Sequence, residues 1–208
     1  MNLGRSIRLK RLIDIAGAAL ALVVAAIPMV AVALATRLTA GRPVLFRQVR
    51  PGLHGTPFTI LKFRTMRVAG SLDDRSVPDE HRLTRLGRFL RSTSLDELPE
   101  LYNVLRGDMS LVGPRPLLME YLERYDPEQA RRHDLRPGMT GLAQVAGRNE
   151  LPWDERLALD VWYVDNWTIA LDLKIVARTI ECLLRRRGVS YPGHATMPDF
   201  RGGPDFPH

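Results

Sequence analysis

The sequence has very few residues that could cross-link the chain or bind a soft metal. Cys182 is the single cysteine in 208 residues, so no disulfide can form within the chain, which fits a protein facing the cytoplasm. The five histidines and the cysteine show no spacing typical of a zinc site. Neither a G-x-G-x-x-G stretch nor a P-loop is present. A zinc enzyme and a Rossmann-type dinucleotide-binding protein are therefore unsupported.

Composition instead indicates a folded and basic protein. Hydrophobic residues make up 45% of the sequence, which is enough for the core of one domain plus a short membrane element. The 30 lysines and arginines outnumber the 23 acidic residues, and the formal net charge is +7. Such an excess favours an anionic partner: a nucleic acid, a lipid headgroup or a phosphorylated substrate. Charge alone does not choose among the three.

An uncharged and mostly apolar run covers residues 15–35, long enough to cross a bilayer core of about 30 Å. Pro28 lies inside it, where it removes a helical hydrogen bond and should kink or break the helix. Basic residues flank the run on both sides, which favours the cytoplasm for both of its ends. They are Arg5, Arg8, Lys10 and Arg11 before it and Arg37, Arg42, Arg47 and Arg50 after it. We predict a re-entrant helical hairpin broken at Pro28. The alternatives are a simple span and a signal peptide cleaved after Ala33-Leu34-Ala35.

The rest of the sequence predicts an α+β fold that is mostly helical. Residues 44–50 and 58–63 read as two short strands joined by a turn-rich segment, which is typical of a β-hairpin. Helical spacing recurs at residues 95–105 and near the C-terminal end, where a basic amphipathic helix suits a membrane surface, with a core-facing helix as the alternative. We divide the chain into a membrane helix with basic flanks, residues 1–40, and a membrane-associated domain, residues 41–208.

Two adjacent carboxylates, Asp96 and Glu97, lie among arginines between Arg91 and Pro99. Ser94 and Glu97 have the S-x-x-E spacing of a helix capping box, which is the structural alternative to a functional pair. Pro99 argues against that box, because it would forfeit a hydrogen bond at the fifth helical position. With Asp96 as the cap, Pro99 needs no donor. Asp96 would then lie at a helix N-terminus that attracts phosphate, as a candidate nucleophile toward phosphorus.

Several basic residues are placed where they could bind phosphate. Arg115 stands between two prolines after a glycine, so its guanidinium is presented at low entropic cost and suits a diphosphate. Lys62 and Arg64 leave the second predicted strand together, and Arg148 follows a glycine-punctuated segment. Arg91 lies on a basic helical face just before the carboxylates. Any one of them is more often a surface charge than a ligand contact.

Together these stretches resemble the bacterial sugar transferase family, the monotopic phosphoglycosyl transferases that begin glycan assembly on undecaprenyl phosphate. The likeness runs from about Arg11 to Leu184, with many motifs in the same order. The motifs are Pro43-Val44-Leu45-Phe46-Arg47-Gln48, Lys62-Phe63-Arg64-Thr65-Met66, Ser94-Leu95-Asp96-Glu97-Leu98-Pro99, Asn103-Val104-Leu105, Gly107-Asp108-Met109-Ser110, Val112-Gly113-Pro114-Arg115-Pro116, Arg136-Pro137-Gly138 and Gly147-Arg148-Asn149. An Asp-Glu pair without the other motifs would be weak evidence for the family.

The resemblance implies an enzyme that moves a sugar 1-phosphate from a UDP-sugar to undecaprenyl phosphate and releases UMP through a covalent aspartyl-phosphosugar intermediate. The family's catalytic dyad falls on Asp96 and Glu97, which would also bind Mg²⁺, and its Pro-Arg-Pro motif falls on Arg115 and the prolines beside it. The family also implies a re-entrant membrane helix broken near a proline. Where relatives often carry Ser-Pro, this chain has Ile27-Pro28.

The resemblance also implies partners and a location. The expected partners are a UDP-sugar, undecaprenyl phosphate and membrane lipids, without nucleic acid, and a homo-oligomer is left open. The chain is similar to the minimal catalytic unit and would lie at the bacterial inner membrane with residues 41–208 facing the cytoplasm. Its tail, residues 188–197, resembles members that handle N-acetylated amino sugars. The alternatives are direct glycosyl transfer, which would release UDP, and a basic membrane-docked scaffold without catalytic activity.

Overall fold

The computed structural model of the chain describes residues 3–67, 82–147 and 151–185, with residues 200 and 202. Arg148 and the tail at residues 188–197 lie outside the described residues. The helices are α1 (Leu3–Ala40), α2 (Arg85–Thr93), α3 (Glu100–Arg106), α4 (Pro127–Ala130), α5 (Leu142–Ala146), α6 (Trp153–Asp165) and α7 (Ile169–Arg185). The strands are β1 (Leu45–Pro51), β2 (Pro57–Phe63), β3 (Ser110–Val112) and β4 (Gly138–Thr140). The prediction of a mostly helical α+β chain is confirmed.

The predicted β-hairpin is also confirmed. Strands β1 and β2 pair antiparallel, from Leu45 opposite Phe63 to Pro51 opposite Pro57. A second sheet, in which β3 and β4 pair in parallel, was not predicted. Each of its strands has three residues, too few for an alternation of polar and apolar side chains to be recognised in the sequence.

Helix α1 continues through Pro28, so the predicted re-entrant hairpin is not confirmed. Proline removes one backbone donor, and this loss alone does not force the chain to reverse. The helix is held along its length by the rest of the protein: Ala18 packs in a core cluster with Leu101 and Met109, and Val32 packs in another with Phe63. These contacts on both sides of Pro28 favour one continuous helix.

The opposite face of α1 is uncovered. The segment Ser6–Ala40 is long and apolar enough to cross a membrane. Its most exposed aliphatic side chains are Leu20, Val23, Val24, Ile27 and Leu38. A contiguous apolar surface of this size marks an interaction with lipid or protein. Together with the family established below, it indicates that the protein associates with a membrane.

A buried polar cluster, here called the anchor cluster, fastens the start of α1 to the domain. It consists of Lys10, Tyr163, Trp167 and Asp172. The Asp172 carboxylate lies 2.6 Å from Lys10 Nζ and accepts hydrogen bonds from the Tyr163 hydroxyl at 2.6 Å and from Trp167 Nε1 at 3.1 Å. One helical turn later, Asp14 accepts a hydrogen bond from Ser110 Oγ at 2.9 Å and another, at 3.0 Å, from the backbone N–H of the residue after Ser110.

Helix α7 has the predicted amphipathic character. Ile175 is buried, whereas Leu173, Ile180 and Leu184 are exposed. Some of its apolar side chains therefore lie outside the protein's own core, as expected for a helix at a membrane surface.

Candidate active site

The two predicted carboxylates lie in a 3₁₀ turn, Leu95–Glu97, between α2 and α3. Helix α2 ends at Thr93, and its C-cap residue Ser94, a non-glycine residue with φ of 55°, redirects the chain toward the turn. Neither Ser94 nor Pro99 makes a side-chain cap. The capping-box interpretation of Ser94 and Glu97 is therefore wrong.

The prediction that Asp96 caps the following helix is also wrong. Helix α3 begins at Glu100, and the backbone N–H of Glu97 already bonds to the Ser94 carbonyl within the turn. Pro99 occupies the N-cap position of α3, where its missing N–H costs nothing. Asp96 thus precedes the helix by a full turn and lies inside the fold.

Glu97 is held by two cations. Its Oε1 accepts hydrogen bonds from Lys62 Nζ and from Arg115 Nη2, each at 2.7 Å. Burial would raise the pKa of Glu97, but the charges of Arg115 and Lys62 outweigh it and hold the pKa well below its usual range. Burial alone would lower the pKa of Lys62, but the Glu97 and Glu100 carboxylates outweigh it, and the pKa of Lys62 is raised. Glu97 is therefore firmly ionised and fixed in position.

Asp96 has the opposite environment. Its side chain is 8% exposed, and no hydrogen bond or ion pair joins its carboxylate to another described residue. Burial and then the Glu97 charge raise the pKa of Asp96, against the charges of Lys62, Arg91 and Arg115. The Asp96 carboxylate lines the cleft described below, so it is open to a ligand there. We call Lys62, Asp96, Glu97 and Arg115 the dyad cluster.

Two other predicted phosphate-binding residues, Arg91 and Arg64, make their hydrogen bonds to groups outside the dyad cluster. Arg91 donates from Nε to Thr65 Oγ1 at 3.2 Å. Helix α2 can approach Thr65 this closely because Gly87 has no side chain: a Cβ at that position would lie 2.0 Å from the Thr65 carbonyl oxygen. Arg64 bonds to the carbonyl oxygens of Ala40 and Arg42, where it satisfies the C-terminal end of α1. Substrate binding by Arg64 and by Arg148 stays a prediction.

A third carboxylate, Glu100, was missed in the sequence. It is 2% exposed, and its Oε1 lies 3.1 Å from Lys62 Nζ without making a well-aligned hydrogen bond to any described residue. Burial and the nearby Glu97 charge raise its pKa to about 7, although Lys62 opposes the change. The sequence offered no signal for it beyond its position after Pro99.

A buried ion pair fixes the backbone of Arg115. Arg132 Nη2 donates to Asp160 Oδ2 at 2.6 Å and to the Arg115 carbonyl oxygen at 2.7 Å. Both members of the pair are 2% exposed. Because the pair holds the main chain, the Arg115 side chain stays free to face Glu97. This pair was not predicted, because its residues lie 28 positions apart in the sequence.

The dyad cluster lies in a large cleft of about 2050 Å³. Its described lining carries ten basic side chains: Arg47, Arg50, Lys62, Arg64, Arg67, Arg82, Arg91, Arg115, Arg132 and Arg156. Its described lining carries three acidic ones: Asp96, Glu97 and Asp160. An excess of this size inside a cleft attracts anions, and several phosphates could be accommodated.

The described residues include no group of three or more His, Cys, Asp or Glu side chains that could hold a metal. Mg²⁺ requires fewer protein ligands, because it is usually bound through one or two carboxylates together with substrate phosphates and waters. Asp96 and Glu97 are consecutive residues that line the same cleft, and Asp96 has no donor among the described residues. This pair fits a Mg²⁺ ion of that kind.

Comparison with known proteins decides the family. The sequence profile described as bacterial sugar transferase matches residues 5–186. The chain belongs to the bacterial sugar transferase family. It is accordingly a transferase, and the family assignment made from the motifs is confirmed.

Relatives of this sugar transferase cover most of its length. An uncharacterized sugar transferase, EpsL, of Bacillus subtilis is 50% identical over 95% of this chain and 98% of its own. A UDP-glucose:undecaprenyl-phosphate glucose-1-phosphate transferase of Caulobacter vibrioides is 47% identical over 84% of this chain and 69% of its own. An undecaprenyl-phosphate galactose phosphotransferase of Salmonella typhimurium is 43% identical over 71% of this chain and 35% of its own.

Proposed function

We propose that this sugar transferase moves a sugar 1-phosphate from a UDP-sugar to undecaprenyl phosphate and releases UMP. The names of the Caulobacter and Salmonella relatives support the lipid acceptor and the transferred phosphosugar. The basic excess of the cleft suits two phosphorylated substrates. The reaction would begin the assembly of a glycan on its lipid carrier.

The observation that carries the mechanism is the contrast between the two dyad carboxylates. Glu97 is bound by Lys62 and Arg115 and is a weak base, whereas Asp96 is buried without a donor among the described residues. Asp96 is therefore the nucleophile. Glu97 orients the two cations that would contact the phosphates, and its low pKa argues against the alternative that it removes a proton from the lipid phosphate.

The reaction proceeds in two displacements at one phosphorus. An Asp96 oxygen forms a bond to the sugar-proximal phosphorus, the bond from that phosphorus to the bridging oxygen breaks, and UMP leaves with the electron pair. A phosphate oxygen of the lipid then attacks the same phosphorus, and the bond to Asp96 breaks. This step restores the carboxylate and yields the lipid-linked sugar diphosphate.

Two steps suit the electrostatics of the site. Both substrates are anionic, and placing them together beside an ionised Asp96 would be costly in a buried cleft. Release of UMP before the lipid phosphate reacts avoids this cost. Mg²⁺ held by Asp96 and Glu97 would offset phosphate charge and polarise the phosphoryl oxygens.

We further propose that the outer face of α1 and the exposed apolar residues of α7 lie in the inner leaflet of the bacterial inner membrane, with the cleft on the cytoplasmic side. Lys10 near the start of α1 and Thr36 near its end are both buried against the protein, which supports placing both helix ends on one side. Impermeant thiol reagents would test this on variants with one new cysteine near either chain end and Cys182 replaced. External labelling of one end alone would show a span.

The nucleotide product tests the reaction most directly. Purified enzyme, a panel of UDP-sugars and undecaprenyl phosphate should release UMP in proportion to lipid-linked sugar diphosphate. Release of UDP would show direct glycosyl transfer, because a different bond would then have broken. Salt-sensitive lipid binding without any nucleotide product would support the scaffold function.

A further inference from the structure

Lys62 is held between two carboxylates, of which the proposed mechanism uses one. Its ammonium lies 2.7 Å from Glu97 Oε1 and 3.1 Å from Glu100 Oε1. Glu97 belongs to the dyad cluster, whereas Glu100 is the first residue of α3 and lies outside that cluster. A lysine ammonium has three donors, so it can pair with both carboxylates. Glu100 is therefore joined to the dyad cluster through Lys62.

Glu100 lies in an enclosed and charged environment. Its side chain is 2% exposed and borders a cavity of about 80 Å³ together with Arg50, Lys62 and Arg115. The Glu97 charge also acts on it. Arg115 is already bound to Glu97 at 2.7 Å. Among the described residues, Lys62 is the cation that forms an ion pair with Glu100.

The charge of Glu100 lowers the stability of the fold. Burial and then the Glu97 charge raise the pKa of Glu100 to about 7, although Lys62 opposes the change, so the folded chain disfavours the ionised form. A glutamine has nearly the same shape and would avoid this cost. A buried charge that destabilises its own fold is typical of a functional position. The ion pair with Lys62 is the contact through which such a function would act.

A lysine in an active site needs support of this kind. Its charge is a compact ammonium on a flexible stem of four methylene groups, so a single ion pair leaves several side-chain orientations open. The two carboxylates that contact Lys62 stand on different elements, Glu97 on the 3₁₀ turn and Glu100 on α3. Contacts from two elements restrict the ammonium to one place.

We propose that Glu100 is a positioning residue that holds the Lys62 ammonium against Glu97. The catalytic consequence rests on the proposed function, in which Lys62 is one of the two cations that would contact the phosphates. In this role Glu100 acts through Lys62 and not on a reacting atom. The position of the Lys62 ammonium itself does not depend on which reaction the enzyme performs.

Lysine acetylation tests the positioning without turnover. The full-length enzyme in detergent is treated with acetic anhydride at pH 8, and mass spectrometry compares Lys62 with Lys174, an internal reference at an exposed position of α7. In Glu100→Gln, Lys62 keeps only the Glu97 carboxylate, so the ratio of Lys62 to Lys174 acetylation should rise by about threefold. Glu123→Gln, at an exposed position, is the matched control and should leave the ratio unchanged. An unchanged ratio in folded Glu100→Gln would overturn the proposal.

Glu100→Asp separates position from charge. It keeps a carboxylate but withdraws it from Lys62 by one methylene group, so the acetylation ratio should rise in this variant as well. It also replaces Glu100→Gln in the experiment if melting curves show that the glutamine variant does not fold. A parental ratio in Glu100→Asp would show that a negative charge anywhere near Lys62 is sufficient, which would overturn the positioning role.

Steady-state kinetics then distinguish positioning from a structural role. At pH 8, Glu100→Gln should lower kcat/KM for UMP release by about threefold to fivefold, although its melting temperature should be no lower than that of the parent. A structural role alone would not lower the activity of a variant that is at least as stable. Parental kcat/KM in Glu100→Gln would therefore contradict the proposal. Absent UMP release by the parent would contradict the proposed function instead, and the acetylation ratio would still decide the role of Glu100.

Discussion

The anchor cluster and the dyad cluster are both buried and charged, yet they treat their carboxylates differently. In the anchor cluster, Asp172 receives three donors from Lys10, Tyr163 and Trp167. In the dyad cluster, Glu97 receives two cations, while Asp96 has no donor among the described residues. Burying a charge is tolerated when it is paired and costly when it is not.

Under the proposed mechanism, this difference separates a structural role for Asp172 from a catalytic role for Asp96. Removing the Asp172 charge should destabilise the fold, because it leaves the buried Lys10 charge without its ion-pair partner. Removing the Asp96 charge should abolish the reaction without a loss of stability, because the native structure gives that charge no donor among the described residues. The same Asp→Asn change is therefore expected to give opposite results in the two clusters.

The largest effect is expected for Asp96→Asn. An amide cannot act as the nucleophile, so kcat for UMP release should fall by about a thousandfold or more. The melting temperature should stay equal or rise, since the change relieves repulsion with Glu97. Asp134→Asn, at an exposed position, is the control and should keep parental activity. Activity of Asp96→Asn within tenfold of the parent would break the comparison.

Arg115→Lys should reduce kcat/KM by more than about tenfold. A lysine ammonium lacks the planar fork that lets arginine hold Glu97 and also present donors to a phosphate. Arg106→Lys makes the same change at a side chain that is 63% exposed and should have no effect. A kcat/KM within twofold of the parent would make Arg115 a structural or peripheral residue.

Asp172→Asn tests the structural role of the anchor cluster. We expect the free energy of unfolding to fall by about 3 kcal/mol, the scale seen when one partner of a buried pair is removed. The kcat of the molecules that remain folded should stay within about twofold of the parent, since Asp172 lies outside the cleft lining. Thermal unfolding in detergent and activity per folded molecule measure the two parts. A kcat loss as large as that of Asp96→Asn would contradict the separation of roles.

Glu100→Gln should give the smallest effect, and only above mildly acidic pH. With its pKa raised from an ordinary value of 4.5 to about 7, native Glu100 binds more protons than the unfolded chain between these values. Stability of the parent therefore falls as pH rises through that window. Glutamine resembles the protonated form, so the variant should be more stable than the parent at pH 8 by on the order of 1 kcal/mol and similar to it at pH 4. Equal pH profiles of melting would show that Glu100 titrates normally.

Several features were predictable from the sequence because they depend on local patterns. The β-hairpin follows from two short strands around a turn-rich segment, and it was found within one residue of its predicted bounds. The placement of Asp96, Glu97 and Arg115 in one site was predicted from motifs that this family shares. Lys62 was predicted only as a phosphate-binding residue, and its ion pair with Glu97 at 2.7 Å was not predicted.

Other features depend on contacts between distant residues and could not be predicted. The continuity of α1 depends on packing partners such as Phe63 and Leu101, which outweigh the local tendency of Pro28 to break a helix. The cap assignment of Asp96 failed because the 3₁₀ turn before α3 uses the backbone donors that a cap would need. Glu100 and the Arg132–Asp160 pair gain their character from burial, which has no local signature in the sequence.

The central claim is that Asp96 becomes covalently bonded to the transferred phosphosugar, and intact-protein mass spectrometry tests it most directly. Enzyme incubated with its UDP-sugar and without lipid acceptor should gain the mass of one sugar phosphate. Peptide mapping should place that mass on Asp96, and it should disappear when undecaprenyl phosphate is added. Turnover through a ternary complex, with no adduct in the parent and full activity in Asp96→Asn, would contradict the account.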